Sequence, residues 1–215
     1  IVNPTPESNV VTMPEVCDDT DSGSDVDGSS KFDLTTLEAN ILGATQVAAG
    51  GFVVTYYFED ASGAKVLIPD PTAHYNTPDS SFDKDNPTIQ TEEIFVRVTD
   101  TNSSNSCYRE DTSFILTVNP LPVLLKRVHK EEQCDIALFD LTDFKDDLST
   151  YPTTESFSYY YLDSSGNRVD IDYNDAKDYS SSGNSTVAEI ILVDISKNTG
   201  GCFRTAQIEL KVSRN

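Results

Sequence analysis

A series of short motifs occurs twice, in the same order, along this chain of 215 residues. "FDLT" at 32–35 returns at 139–142, and "VTYYFEDASG" (54–63) returns as "FSYYYLDSSG" (157–166). "VRVTDTNSSNSC" (96–107) returns as "ILVDISKNTGGC" (191–202), and "ILTV" (115–118) as "ELKV" (209–212). Pro4 corresponds to Pro120 and Cys17 to Cys134. Conserved order with varying loop length identifies an internal duplication, and a duplicated chain folds as like units in tandem. The second copy is shorter between its first Cys and FDLT, with 5 positions from Cys134 to Phe139 against 15 from Cys17 to Phe32. The expected division is a linker or tail of a preceding repeat at 1–6, a first domain at 7–119 and a second at 120–215. Each is near the usual domain size and large enough to bury a core.

"IVNPTP" (1–6) and "TVNPLP" (117–122) frame the first copy. Proline has no N–H and a fixed φ, so it ends a strand, and two prolines one residue apart make a stiff segment. "TVNPLP" therefore reads as a last strand running into a stiff joint, with the two domains expected end to end. "IVNPTP" reads as the same joint after an earlier repeat, which makes the chain a segment of a longer array.

Most segments alternate with a period of two. Val54, Tyr56 and Phe58 share one face, as do Phe157, Tyr159 and Tyr161 in the second copy. Ile208, Leu210 and Val212 alternate with Gln207, Glu209 and Lys211. Such alternation marks half-buried strands. "KVLI" (65–68), "EIFVRV" (93–98), "SFILTV" (113–118) and "AEIILVDI" (188–195) add further strands, while "DASGAK" (60–65) and "DSSGNR" (163–168) read as hairpin turns. Six or seven short strands per hundred residues predict an all-β fold of two tandem immunoglobulin-like β-sandwich domains. Each copy also carries one short helical turn, capped by Asp33 or Thr35 in the first and by Asp140 or Thr142 in the second.

Four cysteines fall two per copy, with no C-x-x-C pair, which weighs against zinc and thioredoxin-like chemistry. Four cysteines allow three pairings, and the repeat selects Cys17–Cys107 and Cys134–Cys202, one bridge within each domain. The alternative is four free thiols. Disulfides place the protein in an oxidising, extracellular setting. The net charge of −21, from 36 acidic against 15 basic residues, disfavours nucleic acid and anionic membrane surfaces as partners. No apolar run approaches the ~18 residues of a membrane span.

The joint order of Cys, an Asp/Gly-rich stretch, "FDLT", "YY", "VRV…C" and "LTVNPLP" resembles the repeat unit of large Bacteroidota gliding-motility-associated cell-surface adhesins. The resemblance runs over nearly the whole chain, twice. It implies export by type IX secretion, tandem immunoglobulin-like repeats, cell-surface localisation and an adhesive or stalk role rather than catalysis. Its implied partners are neighbouring repeats of the same chain and surface polysaccharide or glycans. The alternative is a carbohydrate-binding module of a secreted polysaccharide-degrading protein.

The loop "CDDTDSGSDVDGSSKFDL" (17–34) carries the most chemistry. Asp18, Asp19, Asp21, Asp25 and Asp27 lie within ten residues, among glycines that permit sharp turns. Hard oxygens packed in this way suit Ca²⁺, which takes 6–8 of them. The spacing is not that of an EF-hand, since Gly23 and Leu34 fall where acids are needed when Gly28 is the central glycine. "DVDG", together with Asp18 beside the Cys and Asp33 in FDL, fits the Cys-Asp…Asp-Gly…Phe-Asp-Leu form of the resembled repeats. The expected ligands are thus Asp18, Asp19, Asp21, Asp25, Asp27 and Asp33, in the first domain alone. The competing reading is a solvated acidic loop. His74 and His129 read as surface residues, Asp146–Asp147 as a solvated pair rather than a glycosidase dyad, and the tyrosines as core or sheet surface.

Overall fold

The computed structural model describes residues 5–135, 137–197 and 201–213. The chain divides into two compact units, one up to Pro120 and one from Leu121 onward. Both are all-β and sandwich-like.

In the first unit β1 (Val16–Cys17) and β2 (Lys31–Phe32) are short and flank the acidic loop. A 3₁₀ turn at Leu34–Leu37 leads into α1 (Glu38–Ala49). Then come β3 (Phe52–Glu59), β4 (Lys65–Leu67), β5 (His74–Tyr75), β6 (Gln90–Asp100) and β7 (Tyr108–Asn119). The large sheet has the order β1-β7-β6-β3-β4, and β2 and β5 form a separate two-stranded ladder. Every pairing in the large sheet is antiparallel except that of β1, which lies parallel to the end of β7 with Cys17 opposite Asn119.

The alternation decides which face is buried. Tyr56 of β3, Ile94, Val96 and Val98 of β6, and Phe114, Leu116 and Val118 of β7 all point into one core. Phe32, Leu34, Leu37 and Ile41 close it from the other side. Leu34, Leu37 and Ile41 recur at helical spacing, so one stripe of the helical segment faces the sheet. Each such side chain, fully buried, contributes about 1.5–3 kcal/mol.

The second unit repeats the plan. It contains β8 (Val128–Cys134), β9 (Leu138–Phe139), a 3₁₀ turn at Leu141–Phe144, α2 (Lys145–Leu148), β10 (Glu155–Leu162), β11 (Arg168–Ile171), α3 (Tyr173–Lys177), β12 (Tyr179–Ser180), β13 (Glu189–Lys197) and β14 (Phe203–Ser213). The large sheet is ordered β11-β10-β13-β14-β8, and β9 pairs with β12. Its core holds Phe139, Leu141, Leu148, Tyr159, Ile191, Val193, Ile195, Ile208, Leu210 and Val212. Both predicted hairpin turns form, with Asp60 and Asp163 accepting two backbone N–H groups each and Gly63 and Gly166 at φ of 79° and 80°. Asp33 and Asp140, not Thr35 and Thr142, are the helical caps.

Two features depart from the expectation. The helical segment of the first unit is not a single turn, because α1 runs for 12 residues. It kinks at Gly43, whose φ of 68° no longer supports the helix, and Asn9 donates its backbone N–H to the Ile41 carbonyl at 2.9 Å. Strand β8 carries no strand signal, because "VHKEEQC" has no apolar alternation. It nonetheless pairs in parallel with β14 along its whole length, from Gln207↔Val128 to Ser213↔Cys134. Backbone pairing at a sheet edge does not require apolar side chains.

Candidate functional site

The two cysteines of each unit sit at opposite ends of one strand. Cys17 lies beside Asn119, the last residue of β7, and Cys107 immediately precedes Tyr108, the first. The 12 residues of β7 at ~3.3 Å each hold the two ends roughly 35–40 Å apart. In the second unit Cys134 lies beside Ser213 at the end of β14, and Cys202 precedes Phe203 at its start. A disulfide requires Cα atoms within about 7 Å. The expected bridges Cys17–Cys107 and Cys134–Cys202 therefore do not form. Cys17 and Cys202 are disulfide-bonded, whereas Cys107, half-buried, and Cys134, exposed, are free thiols.

The acidic loop begins at Cys17 and is folded by its own hydrogen bonds. Asp18 is 2% exposed; its N–H donates to the Asn119 carbonyl at 2.9 Å and its Oδ2 accepts from the Gly28 N–H at 2.9 Å. Gly28 has φ of 71°, and a Cβ there would come within 2.8 Å of both Gln90 and Phe82. Asn76 clamps the far side. Its Oδ1 accepts from Ser30 N–H at 2.8 Å, its Nδ2 donates to the Gly28 carbonyl at 3.0 Å, and its own carbonyl accepts from the Ser29 hydroxyl at 3.0 Å. Asn76, through its side chain and its own carbonyl, thus ties residues 28–30 to the end of β5.

The carboxylates are largely committed to this frame. Asp19 accepts from the Asp21 N–H and the Ser30 hydroxyl, both at 2.8 Å. Asp27 accepts from the Ser22 hydroxyl, at 2.8 Å to Oδ2, and from the Ser29 N–H at 3.0 Å. Asp33 caps its turn through the Thr35 N–H at 3.0 Å. Asp21 and Asp27 line an open concavity of about 580 Å³ with Ser22, Ser29, Tyr75 and Pro78, and Asp25 is half-buried. Asp18 Oδ1 is buried with no hydrogen-bond partner. Among the described residues no group of three or more His, Cys, Asp or Glu side chains converges as a metal would require. Proton donors already stand against Asp19 and Asp27, so the six aspartates do not fit a ready-made calcium site. Burial pushes the Asp18 carboxyl up to about 6; the Gly28 N–H opposes the rise, and the nearby charges of Asp27 and Asp19 add to it.

Residues 13–122, just over half of the chain, match the Flavobacterium inter-domain disulphide bond domain family. The chain belongs to this family. No curated protein matches it. Solved structures with some likeness include human CDH23 EC21-23, at 14% identity and TM-score 0.28, covering 79% of this chain and 65% of that one. Mouse Cadherin-23 EC22-24 follows at 16% identity and TM-score 0.26, covering 74% and 53%. Protocadherin Gamma B2 extracellular cadherin domains 1-5 stands at 10% identity and TM-score 0.27, covering 98% and 40%. This chain spans less than two thirds of those chains.

The remaining candidates of this inter-domain disulphide bond domain chain have structural partners. His74 is not a surface residue: its side chain is 10% exposed and its Nε2 lies 2.6 Å from Glu92 Oε2, whose side chain is 8% exposed. The pair ties the small ladder to β6. His129 is 11% exposed and stacks on Phe144 with ring centroids 4.4 Å apart. Sequence reading missed both burials because neither histidine lies in an apolar run. Asp147 accepts from Lys126 at 2.6 Å on the surface. Tyr56 and Tyr159 are core residues, while on the opposite sheet face Arg97 lies over Tyr57 and Arg168 over Tyr160, 5.2 and 3.8 Å from the ring centroids. Among the described residues no helix is long and apolar enough to cross a membrane.

Proposed function

We propose that this chain is part of an extracellular stalk or adhesive protein whose successive units are stapled by a disulfide, here Cys17 to Cys202. One observation carries the reading: the chain belongs to a family named for an inter-domain disulphide bond, and its two oxidised cysteines lie one in each unit, the other cysteine of each unit being a free thiol. Their positions favour it. Cys17 lies at the end of β7 that runs into Pro120. Cys202 immediately precedes β14, whose Arg204 donates to the Pro122 carbonyl at 2.9 Å.

The bond has a mechanical consequence. Tension applied to the two ends of the chain passes through the disulfide and bypasses residues 18–201. Unfolding of that segment adds no length while the bond holds, which withholds roughly 600 Å at ~3.3 Å per residue. A surface protein under drag gains from such a limit. The resemblance to gliding-motility adhesins supports a role for this stalk on a motile cell surface reached by type IX export. The arginine cover over Tyr57 and Tyr160 argues against those rings as a sugar-stacking platform.

Peptide mapping under non-reducing conditions tests the reading. The expected product joins the Cys17 and Cys202 peptides. A Cys17–Cys107 or Cys134–Cys202 peptide overturns it.

A further inference from the structure

We propose that the second unit carries a binding cleft for an acidic sugar, one whose ring bears a carboxylate or a sulfate, at the end of β11. This supplies a ligand for the adhesive reading above and rests on that reading, but not on the staple.

The cleft follows from strand lengths. β11 pairs with β10 only from Tyr159 to Leu162, so Phe157 and Ser158 run on past the end of β11. There the chain turns into α3, which opens with Tyr173. The result is a pocket of about 310 Å³ whose walls include Phe157, Ser158, Arg168, Asp170 and Tyr173. That is the small end of the roughly 300–1,000 Å³ range of ligand pockets, the scale of a single sugar ring. Tyr173 is exposed and Phe157 half-buried, so both rings offer apolar surface to the C–H face of a sugar.

Two cations stand over these rings. Lys145 Nζ lies 5.2 Å from the Phe157 ring centroid and 5.3 Å from that of Tyr173, and Lys177 Nζ lies 4.7 Å from Tyr173. Neither lysine pairs with a carboxylate among the described residues. In a chain with 36 acidic residues against 15 basic ones, two ammonium groups gathered at one ring without an acid between them point to an anion. The acids on either side of Ile171 are committed. Asp170 accepts from Arg168 at 2.6 Å, and Asp172 caps α3 through the Asn174 and Asp175 N–H groups at 2.8 and 3.0 Å.

These lysines differ from the arginines over Tyr57 and Tyr160. Arg97 is pinned by Glu110, and Arg168 by both Asp170 and Asp194, so each stays on its ring. An unpinned lysine has a flexible stem and rotatable donors, and its tip can turn from the ring to a bound anion. The net charge of −21 repels a polyanion at long range, so the cleft suits a short acidic segment held at contact.

The first unit cannot build this cleft. In the FDLT repeat Lys145 is matched by Glu38. The connection "DYNDAKD" (172–178), which supplies Tyr173 and Lys177, is matched by "IPDPTA" (68–73), which has neither an aromatic nor a basic residue.

The test is calorimetric titration of the full chain. The probes are oligomers of galacturonate, glucuronate and mannuronate, a sulfated galactan oligomer, and a neutral galactan oligomer of the same length. An acidic oligomer should bind at one site per chain, and the neutral one at least about tenfold more weakly. The stronger of the uronate and sulfate arms identifies the anionic group. Tyr173→Ala should weaken binding about tenfold, as the loss of a central aromatic anchor does. Lys145→Glu, which installs the charge of the first unit, should abolish it. Lys177→Gln, on an exposed side chain, should also weaken binding and keeps the test decisive if Lys145→Glu does not fold. Failure of every acidic oligomer to bind, equal binding of the neutral one, or full binding by the Tyr173 and Lys177 variants would each overturn the proposal. The Cys17–Cys202 peptide is mapped in the same sample. Its absence beside intact binding refutes the staple alone, and its presence without binding refutes the cleft alone.

Discussion

Tyr56 donates its hydroxyl to the Leu34 carbonyl at 3.0 Å in the core of the first unit, and its repeat equivalent Tyr159 has no partner for a hydroxyl buried just as deeply. The two units share a plan but not every bond. Tyr56→Phe removes a satisfied hydrogen bond and should destabilise the first unit by about 1 kcal/mol. Tyr159→Phe removes an unsatisfied group and should leave the second unit unchanged or slightly more stable. Calorimetric unfolding of the full chain, with one transition assigned to each unit, checks the contrast. Equal losses would contradict it.

Asp18 gives the acidic loop a signed pH dependence. Its carboxyl stands at about 6 in the folded state against an ordinary value of 3.8. The folded chain therefore binds a proton between these values that the unfolded chain does not. The contribution of this group to stability is complete below pH ~4 and is lost as pH rises through about 6. Asp18→Asn keeps an acceptor for the Gly28 N–H and cannot ionise. It should raise the melting temperature above pH 7 by a few degrees, ~1 kcal/mol once solvent screening is allowed for. Below pH 4 it should have no effect. A gain that does not vary with pH would show that the charge is not the cause.

The His74–Glu92 pair joins the β2–β5 ladder to the large sheet, with both side chains about nine-tenths buried. His74→Ala leaves Glu92 buried with the Thr77 N–H as its remaining donor, at 3.2 Å. Stranding one partner of a buried pair is costly, on the order of 3 kcal/mol. Hydrogen exchange should rise first at β5 and along residues 76–90. An unchanged exchange pattern would mean that the pair is incidental.

The loop's aspartates are held by Ser22, Ser29, Ser30 and Gly28 rather than gathered around a common point. Melting curves in chelator and in millimolar Ca²⁺ should therefore coincide. Saturation of a site at 100 times Kd would instead stabilise the fold by about 2.7 kcal/mol, a shift of many degrees. An Asp27-dependent shift of that size would restore the calcium site.

Much of the fold was legible because strand alternation is a local signal. Ile208, Leu210 and Val212 announce their face whatever lies across from them, and Gly63 and Gly166 announce turns through backbone freedom alone. The duplication was legible for the same reason: motifs such as FDLT, with its capping Asp and buried Leu, carry their structural role within a few residues. The polar strand β8 was not legible, since its place comes from backbone bonds to β14 and leaves no side-chain pattern. The burial of His74 was hidden because its partner Glu92 lies 18 positions away on another strand.

The cysteines mark the boundary most clearly. By itself the sequence determined that there are two like units, that both are built of strands, and that two kinds of cysteine position recur. It could not determine which cysteines meet. That depends on β1 adding in parallel to the far end of β7 and β8 to the far end of β14, which sends the two cysteines of one unit to opposite ends of a strand. Repeat spacing is a distance along the chain, whereas a disulfide needs sulfurs in contact in space. Only the tertiary structure, by fixing which end of a strand each cysteine occupies, shows that the pairing within a unit is out of reach.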